Sequence, residues 1–215
     1  HLYSRYVTII EDTQLVVQII KYPTKDRVRF DIFDRVNRGG TPLNKQEMRN
    51  ALYQGNATKL LDELSKMKSF KDATGGAISP KHMKDKYVIL RALCFYLLWR
   101  GNILDKNKKR MEYRSDMEEL LGAGMNLFNK DGFRIPSNGK IRRPISMTLF
   151  ETLFYYFTCF DKTSVSNLEM KKGVVELLQD EEYLRSLQHS VDSSVNVKKR
   201  FGKVKEKYKE IINRW

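Results

Sequence analysis

The sequence has few of the residues that carry most enzyme chemistry. Among 215 residues there are two cysteines, three histidines and two tryptophans. The zincin pattern H-E-x-x-H, the nucleophile elbow G-x-S-x-G, the P-loop G-x-x-x-x-G-K-[ST] and the metal or redox pair C-x-x-C are all missing. These absences argue against a zinc protease, a serine hydrolase, a P-loop NTPase and a zinc-binding or redox domain, and we expect no metal site in this chain.

Long apolar runs are also missing. The strongest candidate, "YVILRALCFYLLW", is interrupted by Arg91 and is too short to span a bilayer. Cys94 and Cys159 each lie in an apolar helical run, which is typical of buried free thiols in a reducing compartment. We therefore expect a cytoplasmic protein with no membrane partner.

Positive charge is what the sequence has in excess. The formal net charge is +14, and it is spread along the chain, with +4 in residues 1–80, +7 in 81–160 and +3 in 161–215. Hydrophobic residues make up 41%, enough for a sizeable core. A folded domain this basic often binds a polyanion such as nucleic acid; the alternative is charge that serves solubility alone.

The apolar pattern predicts a mainly α fold: a small N-terminal β hairpin followed by a helical bundle. "YVTII" and "LVVQIIKY", within residues 1–22, are rich in β-branched residues and predict the hairpin. Helical spacing begins at Asp26 and ends at "NRGG". Further helices are predicted over 45–54, 57–67, 84–100, 109–128, 146–160, 171–179, 180–188 and 195–213, with 69–85 as the main loop.

The stretch "FDIFDRVNRGGTPLNKQEMRNAL" from Phe30 to Leu52 combines a helix end, a glycine turn and a helix start. Asn44 suits an N-cap, and Glu47 three residues later completes a capping box. Arginines beside a Gly-rich turn favour anions, since backbone N–H groups and guanidinium groups both bind phosphate. The alternative is that the arginines pair with Asp31, Asp34 or Glu47 and only fix the turn.

Two other basic stretches are candidates for contacts with the DNA backbone. They are "GKIRRP" at 139–144 and "NVKKRFGKVKEKYK" at 196–209. The apolar residues of the second stretch recur at helical spacing and predict a face toward the core: Val197, Phe201, Val204, Tyr208 and Ile211. The DNA-binding candidates are Arg142, Arg143, Lys198, Lys199 and Lys203, and the alternative is a solvated face.

Glu151 is the one acid in the strongly apolar helix "LFETLFYYF". A buried acid needs a partner, and Arg142 or Arg143 is the candidate that the sequence offers. We interpret this pair as structural rather than catalytic.

Several segments together resemble the N-terminal domain of GmrSD-type restriction endonucleases, a ParB/sulfiredoxin-like family. "IFDRVNRGGTPLNKQEMRNAL" is similar to the family pattern "iFxRlNxgGxxLsxxExrnA". The matching residues are Phe33, Arg35, Asn37, Gly40, Leu43, Glu47, Arg49, Asn50 and Ala51. "VILRALCFY", "RRPISMTLFETL" and "VNVKKRFGKV" resemble later helices of the family, the last with Arg200 at the family's arginine.

The resemblance implies a ParB-like α/β half that binds and hydrolyses a nucleotide through a "DGQQR" motif, then a helical half. A His-Asn-His nuclease is fused to it or supplied as a partner. This sequence has neither motif, and it opens where the ParB-like sheet should be ending. We therefore expect residues 1–55 to be the end of the α/β half with the signature turn, and 56–215 to be the helical domain.

The resulting expectation is a fragment of a nucleotide-dependent DNA-restriction protein that is inactive alone. The resemblance implies no cofactor in this chain, and an NTP with a divalent metal in the parent family. Its partners would be DNA, bound weakly and with salt sensitivity, the missing α/β half and a nuclease domain or subunit; a homo-oligomer is left open. The alternative is a non-catalytic helical domain that binds DNA or scaffolds other proteins.

The resemblance also assigns roles to individual residues of this sequence. The nucleotide-pocket candidates are Arg35, Asn37, Arg38, Gly39, Gly40 and Arg49. Arg35 and Asn37 would contact the pocket, while Arg49 would position the turn. The residues expected to be structural are Glu47, Asn50, Glu151 and Arg200.

Overall fold

The computed structural model describes residues 2–14, 16–17, 19–21, 23–37, 39, 41–99, 110–128, 131–137, 142–160 and 163–214. The chain divides into two compact units, one up to Leu43 and one from Asn44 onward. The domain limits expected from the resemblance, 1–55 and 56–215, stay a prediction.

The N-terminal unit contains two helices, α1 (Leu2–Glu11) and α2 (Asp26–Asn37). The strand predicted at "YVTII" is wrong, because these residues lie in α1, and the described residues of the chain contain no strand. Strand propensity depends on a pairing partner, and a two-stranded sheet is marginal by itself. Tyr6, Ile9 and Ile10 already follow the spacing of one helix face.

The helix predicted from Asp26 is confirmed as α2, which ends at Asn37 before the glycine turn. None of the residues of α2 is buried. Val28, Phe30, Ile32 and Val36 are instead exposed. The apolar face of α2 therefore has no core of its own within the described part of this unit.

The second unit is the predicted helical bundle, which the structure confirms. Its helices are α3 (Lys45–Leu52), α4 (Asn56–Lys66), α5 (Lys68–Thr74), α6 (Lys84–Trp99), α7 (Arg110–Phe128), α8 (Met147–Phe160), α9 (Asn167–Gln179), α10 (Glu181–Gln188) and α11 (Ser194–Asn213), and a 3₁₀ turn at Lys81–Met83 precedes α6. None of the helices in the described residues has both the length and the apolarity needed to cross a membrane.

Helix α5 corrects the prediction of a loop over residues 69–85. Its Phe70 and Ala73 are buried three residues apart on one face. Gly75 ends the helix in the left-handed conformation, with φ 59°, and its N–H donates to the carbonyls of Asp72 and Lys71. The glycine pair that suggested a long loop is the C-terminal cap of a short helix.

Helix α8 is the centre of the bundle. Every residue from Thr148 to Phe160 is buried, and α8 packs against α6, α7 and α11. A helix that is apolar on all sides needs neighbours on all sides. Two of its buried hydroxyls are satisfied within the helix, since Thr152 and Thr158 donate to the carbonyls of Thr148 and Phe154 at 2.8 Å each.

Helix α11 confirms the predicted apolar face. Val204 and Ile211 are buried, while Phe201 and Tyr208 are partly buried and pack against the core. The ring of Phe201 stacks on Phe95 of α6 with centroids 3.9 Å apart. The core therefore closes on α11 through aromatic contacts.

The two cysteines differ in environment. Cys159 is buried as predicted, whereas Cys94 is exposed, which corrects the prediction of two buried thiols. Burial raises the pKa of the Cys159 thiol to about 12. Cys159 is therefore a core residue and not a nucleophile.

Candidate functional site

The glycine turn of the signature stretch is closed by Asn37. The N–H of Leu43 donates to Asn37 Oδ1 at 2.9 Å, and Asn37 Nδ2 lies 3.5 Å from the Leu43 carbonyl oxygen. The N–H of Gly39 donates to the carbonyl of Val36 at 3.2 Å. Both polar atoms of the Asn37 side chain are thus engaged by the turn, which gives this residue a positioning role.

Helix α3 begins with the predicted capping box. Asn44 Oδ1 accepts hydrogen bonds from the N–H groups of Gln46 at 2.7 Å and Glu47 at 3.0 Å. Glu47 Oε2 accepts from the N–H of Asn44 at 2.8 Å. That backbone hydrogen bond is the main cause of the lowered pKa of the Glu47 carboxyl.

The same two capping residues hold a distant turn. Asn44 Nδ2 donates to the His82 carbonyl at 2.7 Å, and Glu47 Oε1 lies 3.1 Å from His82 Nδ1. His82 and Met83 have φ values of 56° and 54°, in the left-handed region that side chains other than glycine rarely adopt. Such a conformation costs about 1–3 kcal/mol per residue and persists only when its surroundings fix it.

The nucleotide-pocket candidates do not form one described constellation. Arg35 and Gly39 are exposed, and Arg38 and Gly40 lie outside the described residues. Arg49, in α3, donates from Nη1 to Gln46 Oε1 at 3.4 Å, and its role in positioning the turn stays a prediction. The Asn50 carbonyl accepts a hydrogen bond from the Gln54 side chain.

Across the described ranges, no group of three or more His, Cys, Asp or Glu side chains is arranged to hold a metal ion. Asn37, one of the two residues expected to contact a nucleotide, is engaged by the turn.

Of the two arginines predicted to bind DNA next to α8, Arg142 is paired. Its Nε and Nη2 atoms both contact Asp131 Oδ1, at 2.8 and 2.6 Å. The side chain of Arg143 is exposed, and its carbonyl accepts a hydrogen bond from Arg134. Both arginines are exposed, and Arg142 is the one whose charge is offset by Asp131.

The lysines of α11 predicted to bind DNA face acids of the α10 segment. Lys203 Nζ contacts Asp180 Oδ2 at 2.8 Å and Glu182 Oε2 at 3.1 Å, and Lys199 Nζ contacts Glu182 Oε1 at 3.3 Å. The hydrogen bond to Asp180, followed by that to Glu182, raises the pKa of Lys203. Lys198 is exposed. The acids offset part of the positive charge that the sequence pattern suggested.

A buried charge cluster joins α6, α8 and α11. Glu151, which is fully buried, accepts a hydrogen bond from Arg91 Nε at 2.5 Å on one carboxylate oxygen. Its other oxygen accepts from Arg91 Nη2 at 3.1 Å and from Arg200 Nη2 at 2.5 Å. The predicted partners, Arg142 and Arg143, are therefore wrong, because α6 and α11 flank Glu151 in the packed bundle.

The outer contacts of this cluster complete its charge balance. Arg91 Nη1 also donates to Tyr87 Oη and to Asp192 Oδ1, at 2.9 Å each. Arg200, fully buried, donates from Nη1 to the Val191 carbonyl at 2.7 Å, while its Nε has no partner in the described part of the chain. The charges of two arginines and two acids thus balance. The cluster holds three helices together, and its charges are already paired and are not available to a ligand.

Comparison of the chain with protein-family models, curated proteins and solved structures gives no match.

Proposed function

We propose that this chain is the helical part of a nucleotide-dependent DNA-restriction protein of the GmrSD type and has no catalytic activity alone. One observation supports the resemblance most directly. The segments "VILRALCFY", "RRPISMTLFETL" and "VNVKKRFGKV" supply Arg91, Glu151 and Arg200. These residues meet in a single buried cluster although the pairs are 60 and 49 residues apart in sequence.

In this proposal the signature stretch places a rigid turn next to a nucleotide that the parent protein's α/β half binds, with any divalent metal. Arg35, Arg38, Gly39 and Gly40 are the residues proposed to face its phosphates. Asn37 positions the turn through its contacts with Leu43, and the same role is proposed for Arg49. Asn50 and Glu47 are proposed to stabilise the start of the helical half.

For the contact with DNA, we propose Arg143 and Lys198 as the principal phosphate ligands. Both side chains are exposed. Arg142, Lys199 and Lys203 contribute less, since each contacts an acid of the chain. Phosphate contacts of this kind give binding that weakens steeply with salt.

The test is a fluorescence-anisotropy titration of the purified chain with a labelled DNA duplex over a range of salt concentrations. The double variant Arg143→Ala/Lys198→Ala should bind more weakly and should lower the salt slope by about 2, one for each phosphate contact. The matched control is Lys45→Ala/Lys59→Ala, which removes the same charge from exposed positions on α3 and α4. The control should keep the slope of the parent chain.

Two results would refute the proposal. Equal slopes for the double variant and its control would show a non-specific effect of net charge. Hydrolysis of ATP or GTP by the pure chain would refute the claim that it is inactive alone.

A second candidate function, a scaffold for protein partners, is favoured by the surface of the N-terminal unit. Its described residues bury no side chain, while Tyr6, Ile10, Val16 and Ile19 are exposed. A contiguous apolar patch marks interaction sites, and this second proposal takes these exposed residues to form one. Failure to bind the duplex at low salt, together with association that rises with protein concentration, would favour this function over the first.

A further inference from the structure

The helical unit contains a cleft that none of the contacts described above uses. It lies between α4, α5, the chain that follows α5, and the start of α6, and it measures about 550 Å³. Phe70, Ile78, Pro80 and Met83 form its apolar lining. This volume is within the range of about 300–1,000 Å³ that is typical of small-molecule sites.

Asp85 lines this cleft, and the residue is largely buried. The residue is 8% exposed. Its Oδ1 accepts a hydrogen bond from the N–H of Lys86 at 2.8 Å, and this is the one hydrogen bond of the carboxylate within the described ranges. The start of α6 and one N–H group offset only part of a full negative charge.

The lysines of the cleft do not neutralise Asp85, because two of them are bound elsewhere. Lys86 Nζ contacts Asp62 Oδ1 at 2.9 Å, and Lys66 Nζ contacts Asp62 Oδ2 at 2.6 Å. Lys71, the third lysine of the lining, is exposed. Among the described residues, Asp85 has no ion-pair partner.

We propose that the cleft binds a small organic ammonium ion with an apolar body, and that Asp85 is the residue that recognises the ammonium group. A bound cation would offset the free-energy cost of burying the Asp85 carboxylate. A bound anion would instead contact only the hydrated ammonium groups of the lysines, which contributes little. The apolar body would pack against Phe70, Ile78 and Met83. This inference does not depend on the DNA-restriction proposal.

The signature stretch shapes one wall of this cleft. Met83 follows His82, and both are held in the left-handed conformation. Asn44 and Glu47 of the capping box bind His82 directly. The conformation that presents Met83 to the cleft is therefore fixed before a ligand arrives, which lowers the entropic cost of binding.

The test compares three probes of one shape and three charges: 2-phenylethylamine, 2-phenylethanol and phenylacetate. Each is titrated into the ¹⁵N-labelled full chain at about 0.15 M salt, where charges more than ~8 Å apart are largely screened. The amine should saturate, with shifts at the amides of Ile78, Met83 and Lys86. The alcohol should bind about tenfold more weakly, and phenylacetate more weakly still.

The variant Asp85→Asn tests the assigned residue, since the amide oxygen can still accept from the N–H of Lys86. It should weaken binding of the amine about tenfold and leave binding of the alcohol unchanged. The matched control, Asp72→Asn, makes the same substitution at an exposed position of α5 outside the cleft lining. It should leave the affinities for the amine and for the alcohol unchanged. The three-probe comparison on the parent chain stays informative even if Asp85→Asn fails to fold.

Three outcomes would overturn the proposal. Tighter binding of phenylacetate, lost in Lys71→Ala, would make the cleft an anion site. Equal affinity for all three probes would make it an apolar pocket without charge selection. Absence of binding by all three would show that the cleft does not recognise ligands of this class.

Discussion

At the scale of single residues, Gly173 sets how closely α9 approaches α8 and α11. A Cβ atom at this position would lie 2.4 Å from Tyr156 Oη and 2.6 Å from Ile211 Cδ1. Tyr156 is fully buried and donates its hydroxyl to the Met170 carbonyl at 2.9 Å, so it cannot move without losing that hydrogen bond. The bundle needs a residue without a side chain at this position.

Gly173→Ala should therefore lower the free energy of unfolding by about 1–3 kcal/mol, as overpacking of a tight core does. The control is Gly202→Ala in α11, where a Cβ would meet nothing within 4 Å. That variant should gain up to about 1 kcal/mol, because alanine is the better helix former. Urea unfolding of both variants measures the difference, and equal stabilities would contradict the close packing of α9.

Glu151 shows how far the sequence could predict the site at this scale. A single acid in an apolar helix predicts burial and an arginine partner, and both are present. The choice of arginine could not be predicted, because Arg91 and Arg200 lie 60 and 49 residues away in sequence and meet Glu151 only through the packing of α6, α8 and α11. Arg142, close in sequence, is paired with Asp131 instead.

At the scale of elements, α3 has a start whose stability depends on pH. The pKa of the Glu47 carboxyl is lowered from 4.5, first by the backbone hydrogen bond from Asn44 and then by His82. A carboxyl whose pKa falls on folding stabilises the folded state above its unfolded pKa, and this contribution is lost as pH falls through the lowered value. The folded protein should therefore lose this contribution in mild acid.

The corresponding test is Glu47→Gln, measured by thermal unfolding between neutral pH and pH about 3. At neutral pH the variant should be less stable than the parent chain. The difference should shrink as pH falls below about 4.5, where the carboxyl of the unfolded chain takes up its proton, and should be lost at the lower pH at which the folded carboxyl is protonated. Glu118→Gln, at an exposed position of α7, is the matched control. Its thermal stability should equal that of the parent chain at every pH. A constant difference for Glu47→Gln across this range would exclude the capping carboxylate as its cause.

Among elements, most helices were predictable, including the short α3 and α10, whereas α1 and α5 were not. The helix predicted at 109–128 is α7, and the one predicted at 146–160 is α8, each within one residue of its observed bounds. Helix α5 was missed because it has seven residues, too few to show a period beside Gly75 and Gly76. Helix α1 was missed because its β-branched residues are typical of strands. The sequence alone does not show whether a neighbouring strand is present to pair with them.

At the scale of the whole molecule, the excess of positive charge was predictable but its arrangement was not. The net charge of +14 predicts a polyanion partner. The acids of the α10 segment lie against Lys199 and Lys203, and only the packing of α10 on α11 reveals this. Exposed cations such as Arg143 and Lys198 are therefore better guides to a DNA-binding surface than the density of lysines in sequence.

The buried hydrophobic residues of the described ranges lie in the unit from Asn44 onward. They begin at Met48, and the core cluster runs from Leu61 to Ile211. The unit from Asn44 onward therefore carries its own core, and its first helix carries its own cap in Asn44. A chain of residues 44–215 should fold alone and unfold cooperatively, with a free energy within about 0.5 kcal/mol of the parent chain, as for changes at exposed surface.

The same deletion should also remove exposed apolar surface, since it takes away Ile10, Val16 and Ile19. Residues 44–215 should accordingly bind less of the dye ANS and associate less at high concentration than the full chain. Amide hydrogen exchange provides the control, because protection of α8 should be equal in the two chains if the core is unchanged. Loss of that protection would mean that residues up to Leu43 stabilise the core, and that the second unit is not an independent folding unit.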